Sequence, residues 1–351
     1  MKNTGKIIGT ILKLLVVFGL LGVLIALMLL SHMQDEPAPA LKFSNPKRPN
    51  FDNTLESNKV SSIPTLKDDL IDFAVYLYDT ANVNTKNVST CIFMVNCNTD
   101  MTIDIVLSKI EMPVIGSRYI MKRGTEYFYT EYSIPVGDTK TLAGWFAKEN
   151  TMFATRSYTD VSCMDYLYSE KCYEPEFITN DVTGETEILR NWDEANMVSE
   201  SKWQTEHKVP VFCSAQNGNY AQTDQVINKN TVKDASVEFI ESDEGNFYRL
   251  TLTLDTDNPE TTAISIENLR KGADDKNAAY YDMVETIEIW DNGYFKKFRS
   301  VDKWTAKNGL ISSVIDYDTF FYYSEEFADT SKYYDFDDVK KAALEYNTNK
   351  N

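Results

Sequence analysis

The stretch from Ile7 to Leu30, IIGTILKLLVVFGLLGVLIALMLL, carries one charged residue, Lys13, and so has no stable place in water on its own. As a helix rising about 1.5 Å per residue, it is long enough to cross a hydrocarbon core of about 30 Å. Lys2, Lys6 and Lys13 lie at or before its start, and no Lys or Arg follows until Lys42. The positive-inside rule therefore reads residues 1–6 as a cytoplasmic tail, 7–30 as a transmembrane signal anchor, and everything beyond as extracytoplasmic. A cleaved signal peptide is the rival reading, because Ala38-Pro39-Ala40 has small residues at the right two positions. Its apolar core, however, would exceed the roughly 7 to 15 residues that such peptides use. The first cysteine, Cys91, lies too far downstream to carry the acyl chains of a lipoprotein anchor.

Residues 31–64 contain Pro37, Pro39, Pro46, Pro49 and Pro64 among polar neighbours, without an apolar period. That composition predicts an extended stalk. The net charge of -18 becomes more negative once the three N-terminal lysines are set aside, and no basic block offers contacts to phosphate. Nucleic acid and anionic headgroups are disfavoured as partners on these grounds. Five cysteines, Cys91, Cys97, Cys163, Cys172 and Cys213, are too few and too irregular for a disulfide scaffold, and no Cys/His cluster suggests zinc. Cys91/Cys97 and Cys163/Cys172 are open as short-loop pairs.

The predicted fold class is α+β, and residues 65–351 are read as one extracytoplasmic β-rich domain. Thr65-Leu66-Lys67-Asp68 resembles a capping box, and Leu66, Leu70, Phe73, Ala74, Leu77 and Ala81 follow at helical spacing. The period then changes to two. Ile103, Ile105 and Leu107 alternate with polar neighbours, as do Leu250, Leu252 and Leu254. Arg123-Gly124, Glu244-Gly245, Asn292-Gly293 and Asn308-Gly309 supply hairpin turns, so the sheet is expected to be mainly antiparallel. A helix is predicted from Asn258 to Gly272 and another from Asp335 to Tyr346, the latter with Val339, Ala342 and Ala343 inward. Residues 163–213 show the least regular pattern and are read as an excursion from the sheet or a lobe junction.

No catalytic motif emerges: GxSxG, the P-loop, GxGxxG and HExxH are all absent. His207, beside Glu206, is read as an exposed polar histidine rather than a base. Asp255-Thr256-Asp257-Asn258 and Asp316-Tyr317-Asp318 lack the glycine and distal glutamate of a calcium loop, so turn and capping duties explain them better. The reading is of a non-enzyme without cofactor or metal. Aromatic residues are the distinctive content, notably Tyr127, Phe128, Tyr129 and Tyr132, then Trp290 to Trp304 and Phe320 to Tyr323. On strands they must project to both faces.

In order along the chain stand Arg118-Tyr-Ile-Met-Lys-Arg-Gly-Thr-Glu-Tyr-Phe-Tyr, then Phe247-Tyr-Arg-Leu-Thr-Leu-Thr-Leu, a capped helix, and Val284-Glu-Thr-Ile-Glu-Ile-Trp-Asp-Asn-Gly-Tyr-Phe-Lys-Lys-Phe. This succession resembles the outer-membrane lipoprotein carrier (LolA-like) and mycobacterial lipoprotein half-barrels. The resemblance implies a large curved, mainly antiparallel sheet packed on a few helices, enclosing an apolar cavity for a lipid or other hydrophobic ligand. Tyr127, Tyr129, Leu250, Leu252, Ile287 and Ile289 are the expected lining residues. The alternative function is a cell-surface module that binds cell-wall carbohydrate or a protein partner through exposed aromatics.

Overall fold

The computed structural model describes residues 43–105, 108–135, 154–160, 162–164, 166–172, 176–179, 186–189, 194–199, 223–324 and 336–350. Its strands are β1 (Thr90–Ile105), β2 (Ser108–Arg123), β3 (Glu126–Pro135), β4 (Ala154–Asp160), β5 (Tyr166–Cys172), β6 (Glu176–Thr179), β7 (Thr186–Leu189), β8 (Glu194–Ser199), β9 (Val232–Ile240), β10 (Phe247–Leu254), β11 (Ala279–Trp290), β12 (Phe295–Ala306) and β13 (Ile311–Tyr322). Its helices are α1 (Lys67–Asn87), α2 (Ile266–Gly272) and α3 (Phe336–Lys350). The architecture is α+β, as expected, with an antiparallel sheet packed against helices. Eleven strands pair in the order β8-β5-β4-β3-β2-β1-β13-β12-β11-β10-β9, while β6 and β7 form a separate two-stranded sheet. The first and last long strands, β1 and β13, meet at the centre in antiparallel register, Phe93 facing Phe321.

Two helices cover opposite faces of this sheet. On one face α1 buries Ile71, Phe73, Ala74, Leu77, Tyr78 and Ala81 against Phe93, Ile120, Phe298, Phe321, Leu250 and Ile287. On the other face α3 buries Val339 and Ala343 against Ile92, Met94, Tyr119, Phe128, Tyr158 and Tyr322. This explains why the start of β1 reads as the unbroken run Cys91-Ile92-Phe93-Met94-Val95, every residue of which is buried. A strand covered on both faces has no reason to alternate. In β10 only the α1 face is fully closed, and the alternation of Leu250, Leu252 and Leu254 survives in the sequence.

All four glycine turns anticipated from sequence lie between paired strands. The details of the helices differ. α1 begins after Leu66 without a side-chain cap, and Leu66 itself is 70% exposed, so the buried stripe starts at Ile71 instead. The helix expected from Asn258 is confined to Ile266–Gly272. Upstream, the Asn258 side chain accepts from the Glu260 amide at 3.0 Å and the Thr261 hydroxyl donates to the Asp255 carbonyl at 2.6 Å, local bonds that compete with helix. Residues 163–213 contribute β5 and β8 to the main sheet and β6 and β7 to the small one, more regular structure than their composition suggests. Ile7–Leu30, Leu107, Tyr334 and His207 lie outside the described residues, and no helix among the described residues is long and apolar enough to cross a membrane.

Cys91 and Cys97 are both free, on the same strand six residues apart. At about 3.3 Å per residue they stand roughly 20 Å from each other, far beyond disulfide reach. Cys163 is also free, and exposed.

Residues 43–64, the distal part of the expected stalk, form no helix or strand but run along the end of the sheet that carries the β9–β10 and β11–β12 hairpins. Phe43 packs edge-on to Phe320, and the Tyr322 hydroxyl donates to the Ser44 carbonyl. Arg48 pairs with Asp291 at 2.5 Å, Asn292 donates to the Pro49 and Phe51 carbonyls, and Leu55 is buried in the α1-face core. Gly293, at φ +87, sits under this segment, and a Cβ there would lie 2.5 Å from the Thr54 hydroxyl. Gly124, at φ +62, has no described atom within 4 Å of the place a Cβ would take. Gly293→Ala is therefore expected to destabilise the domain by about 2 kcal/mol and Gly124→Ala by about 1 kcal/mol, both read from urea unfolding midpoints.

Candidate functional site

The register of the sheet places side chains on the α1 face in rows that cross the strands. One row runs Ile120, Phe93 and Phe321, and the next carries Phe298, Ile287 and Leu250, all buried. Toward the end of the sheet where β1 connects to β2 and β12 to β13, the same face turns polar within one or two residues of each strand. Arg118 follows Ile120, Cys97 follows Val95, Tyr317 follows Thr319, Ser300 follows Phe298 and Glu285 follows Ile287.

The six residues expected to line a ligand cavity do share this face. Leu250, Leu252, Ile287 and Ile289 are fully buried core beneath α1, which packs on β9, β11 and β12. Tyr127 and Tyr129 are half-buried and pack at the margin of the same core, on the β3 side. The six are thus split between closed core and an accessible rim.

At that rim Arg118 donates from Nε to Glu131 Oε1 at 2.9 Å, and the Tyr129 hydroxyl donates to the other oxygen of the same carboxylate. The Arg118 guanidinium also lies 5.6 Å from the centre of the Tyr317 ring, a cation–π distance. Arg118 and Glu131 keep side-chain exposures of 28% and 29%, so solvent or a ligand can reach them. Burial pushes the Tyr129 and Tyr317 phenols up, with the nearby carboxylate adding for Tyr129, so both remain hydroxyl donors across the physiological range. Burial likewise raises the Cys97 thiol, which lies 3.7 Å from the Thr99 hydroxyl and is no thiolate nucleophile at neutral pH.

Farther across the face, Glu285 on β11 and Asp302 on β12 are buried to 0% and 5% exposure. Ser300 donates to Glu285 Oε1 at 3.1 Å, and Gln225 Nε2 donates to Asp302 Oδ2 at 3.1 Å. Among the described residues, Glu285 Oε2 and Asp302 Oδ1 have no hydrogen-bond partner. Burial first, and then the neighbouring Asp302, hold the Glu285 carboxyl well above the usual range; burial lifts Asp302 to about 6. One of the pair is therefore protonated near neutrality. Among the described residues no group of three or more His, Cys, Asp or Glu is placed to hold a metal.

Arg118, Glu131, Glu285 and Asp302 were not singled out from sequence. A signal existed for Glu285, which occupies the inward phase of Met283, Ile287 and Ile289, where an acid is out of place on an apolar face. Arg118 gave none, because its partner Glu131 is defined by the β2–β3 register. A shallow depression on the outer side of α3, lined by exposed Asp337, Lys341, Leu344, Glu345 and Thr348, lies on the other face of the sheet.

No family model matches this chain, and no curated protein matches it. Among solved structures it is similar to an outer membrane lipoprotein-sorting protein domain from Vibrio parahaemolyticus, at 8% identity, TM-score 0.23, covering 77% of this chain and 97% of that one. It is also similar to a LolA superfamily protein from Nitrosomonas europaea, at 10% identity, TM-score 0.19, over 70% of this chain and 91% of that one. A DUF1329 family protein from Desulfovibrio piger matches at 9% identity, TM-score 0.17, over 69% and 90%. Identities and TM-scores at this level carry no argument about what this chain does.

Proposed function

We propose that this protein is a non-enzymatic binding protein, held to a membrane by Ile7–Leu30 with its N-terminus cytoplasmic and its main domain extracytoplasmic. Its ligand is amphipathic, a lipid or similar hydrophobic molecule bound on the α1 face of a half-barrel sheet. The observation that carries this reading is the passage, on one face, from the apolar row of Ile120, Phe93 and Phe321 to the accessible Arg118–Glu131–Tyr129 group. An apolar chain inserted at the α1 margin beside Tyr127 and Tyr129 gains about 0.8 kcal/mol per buried methylene. The polar head then meets a guanidinium, a carboxylate and two phenol donors. Entry toward Leu250, Leu252, Ile287 and Ile289 requires α1 to move aside, since these residues are closed off beneath it.

The reading through exposed aromatics finds less support. The large apolar side chains exposed among the described residues, Phe51, Leu66, Val83, Phe239, Tyr281, Leu310 and Leu344, are scattered over separate elements rather than gathered as a stacking platform.

The test is native mass spectrometry and solvent extraction of the chain from Gln34 to Asn351, with titration of a fluorescent fatty acid. A lipid of defined mass, or saturable binding weakened about tenfold by Arg118→Ala, is expected. A clean apo mass together with no saturable binding rejects the reading.

A further inference from the structure

Gln225 belongs to a segment, 223–231, that crosses the α1 face without regular secondary structure and is nonetheless held down. Thr223, Gln225 and Ile227 are buried, and the Val226 amide donates to the Thr261 carbonyl at 3.0 Å. The Gln225 side chain is fixed at both ends, donating to Asp302 Oδ2 and accepting from the Ser265 hydroxyl at 3.0 Å. It thereby closes the site that contains Glu285 and Asp302. Each of those carboxyls still has one oxygen without a partner among the described residues, in a place shielded from solvent.

We propose that Glu285 and Asp302 form a proton-operated latch, which keeps segment 223–231 shut while the pair holds a proton and releases it when both carboxyls ionise. The segment itself contributes another acid, Asp224, within electrostatic reach of Asp302. β11 contributes the Tyr280 phenol and β13 the Tyr317 phenol, both neutral. β12 adds the Ser300 hydroxyl, β10 presents Leu252 and Leu254, and the α1 residues in this core are apolar. The cations described on this face are both on β2: Arg118 is bonded to Glu131 and otherwise acts on Asp224, and Lys122 donates to the Lys86 carbonyl at the end of α1. Among the described residues a doubly ionised pair thus has no counter-charge beside it, and a buried like-charged pair is relieved by gaining a proton or by admitting water.

The direction of the effect follows from linkage. Asp302 and Glu285 have folded-state pKa values raised above those of the open form, so the closed form binds more protons. The stability of the closed segment is fully present below the ordinary carboxylate range and is lost as pH rises through about 6 and above. This inference does not depend on the identity of any ligand, and it stands or falls separately from the lipid reading.

The test is hydrogen–deuterium exchange on the full chain in detergent at pH 5 and pH 8, corrected for the intrinsic pH dependence of exchange. Peptides covering Thr223 to Thr231 are expected to exchange at least tenfold faster at pH 8, while α1 and β11 keep their protection. In Glu285→Gln the difference is expected to vanish, with the segment protected at both pH values. Should that variant fail to fold, Asp302→Asn provides the same comparison. Equal protection of the wild-type segment at both pH values overturns the proposal, as does an undiminished pH effect in a folded variant or a loss of protection spread over the whole sheet.

Discussion

Phe321→Ala is expected to lower the unfolding free energy by about 4 kcal/mol, measured as a shift of the urea or guanidinium midpoint at unchanged slope. Phe321 is fully buried at the centre of the sheet, where β13 meets β1. Its ring stacks on Phe295 at 5.0 Å and meets Phe93 edge-on at 5.3 Å, while Tyr78 from α1 packs on Phe295 at 5.9 Å. Truncation removes the transfer free energy of the ring and leaves a cavity bounded by two other rings on rigid strands, which cannot collapse to fill it. The same residue ties the first half of the sheet to the second. A cost below about 1.5 kcal/mol would mean that the β1–β13 seam is not a packed core.

Arg156→Met is expected to cost about 3 kcal/mol, a large effect for a charged residue. Arg156 on β4 and Glu170 on β5 form an ion pair on the α3 face with side-chain exposures of only 11% and 9%. The Tyr168 hydroxyl adds a bond to the same carboxylate at 2.7 Å. Removing the guanidinium leaves a buried carboxylate without its compensating charge. In the double variant Arg156→Met with Glu170→Gln, that charge is gone and Tyr168 keeps an acceptor, so most of the loss should be recovered. If single and double variants are equally destabilised, the effect comes from packing of the arginine stem rather than from the uncompensated charge.

Local periodicity carried much of the fold. The helical spacing of Phe73, Ala74, Leu77 and Ala81, the alternation of Leu250, Leu252 and Leu254, and the inward Val339 and Ala343 all reappear as buried stripes. Each depends on which side of one element a residue faces, a property set within a few residues. The start of α1 was misplaced because Thr65 offers a plausible cap that the helix does not use. The helix predicted from Asn258 was overextended because Asx and threonine hydroxyl bonds are as local as helix signals and won there.

The site was less legible, for a reason visible in its members. Tyr127, Tyr129, Leu250, Leu252, Ile287 and Ile289 fall on one face, since phase alone decides that. That four of them lie closed beneath α1 while two stand at its rim is a matter of where the helix docks.

By itself the sequence determined the apolar, nearly uncharged character of Ile7–Leu30, the strand and helix phases, the glycine turns and the strongly acidic balance, because these are properties of neighbouring residues. The tertiary structure alone decided that β1 lies beside β13, that residues 43–55 bind the β11–β12 hairpin, that Arg118 meets Glu131, and that Gln225 closes over Glu285 and Asp302. Those pairings join residues up to 243 positions apart, as Arg48 does with Asp291. Their formation rests on strand register and helix docking summed over the whole sheet, and no short window of the chain contains that information.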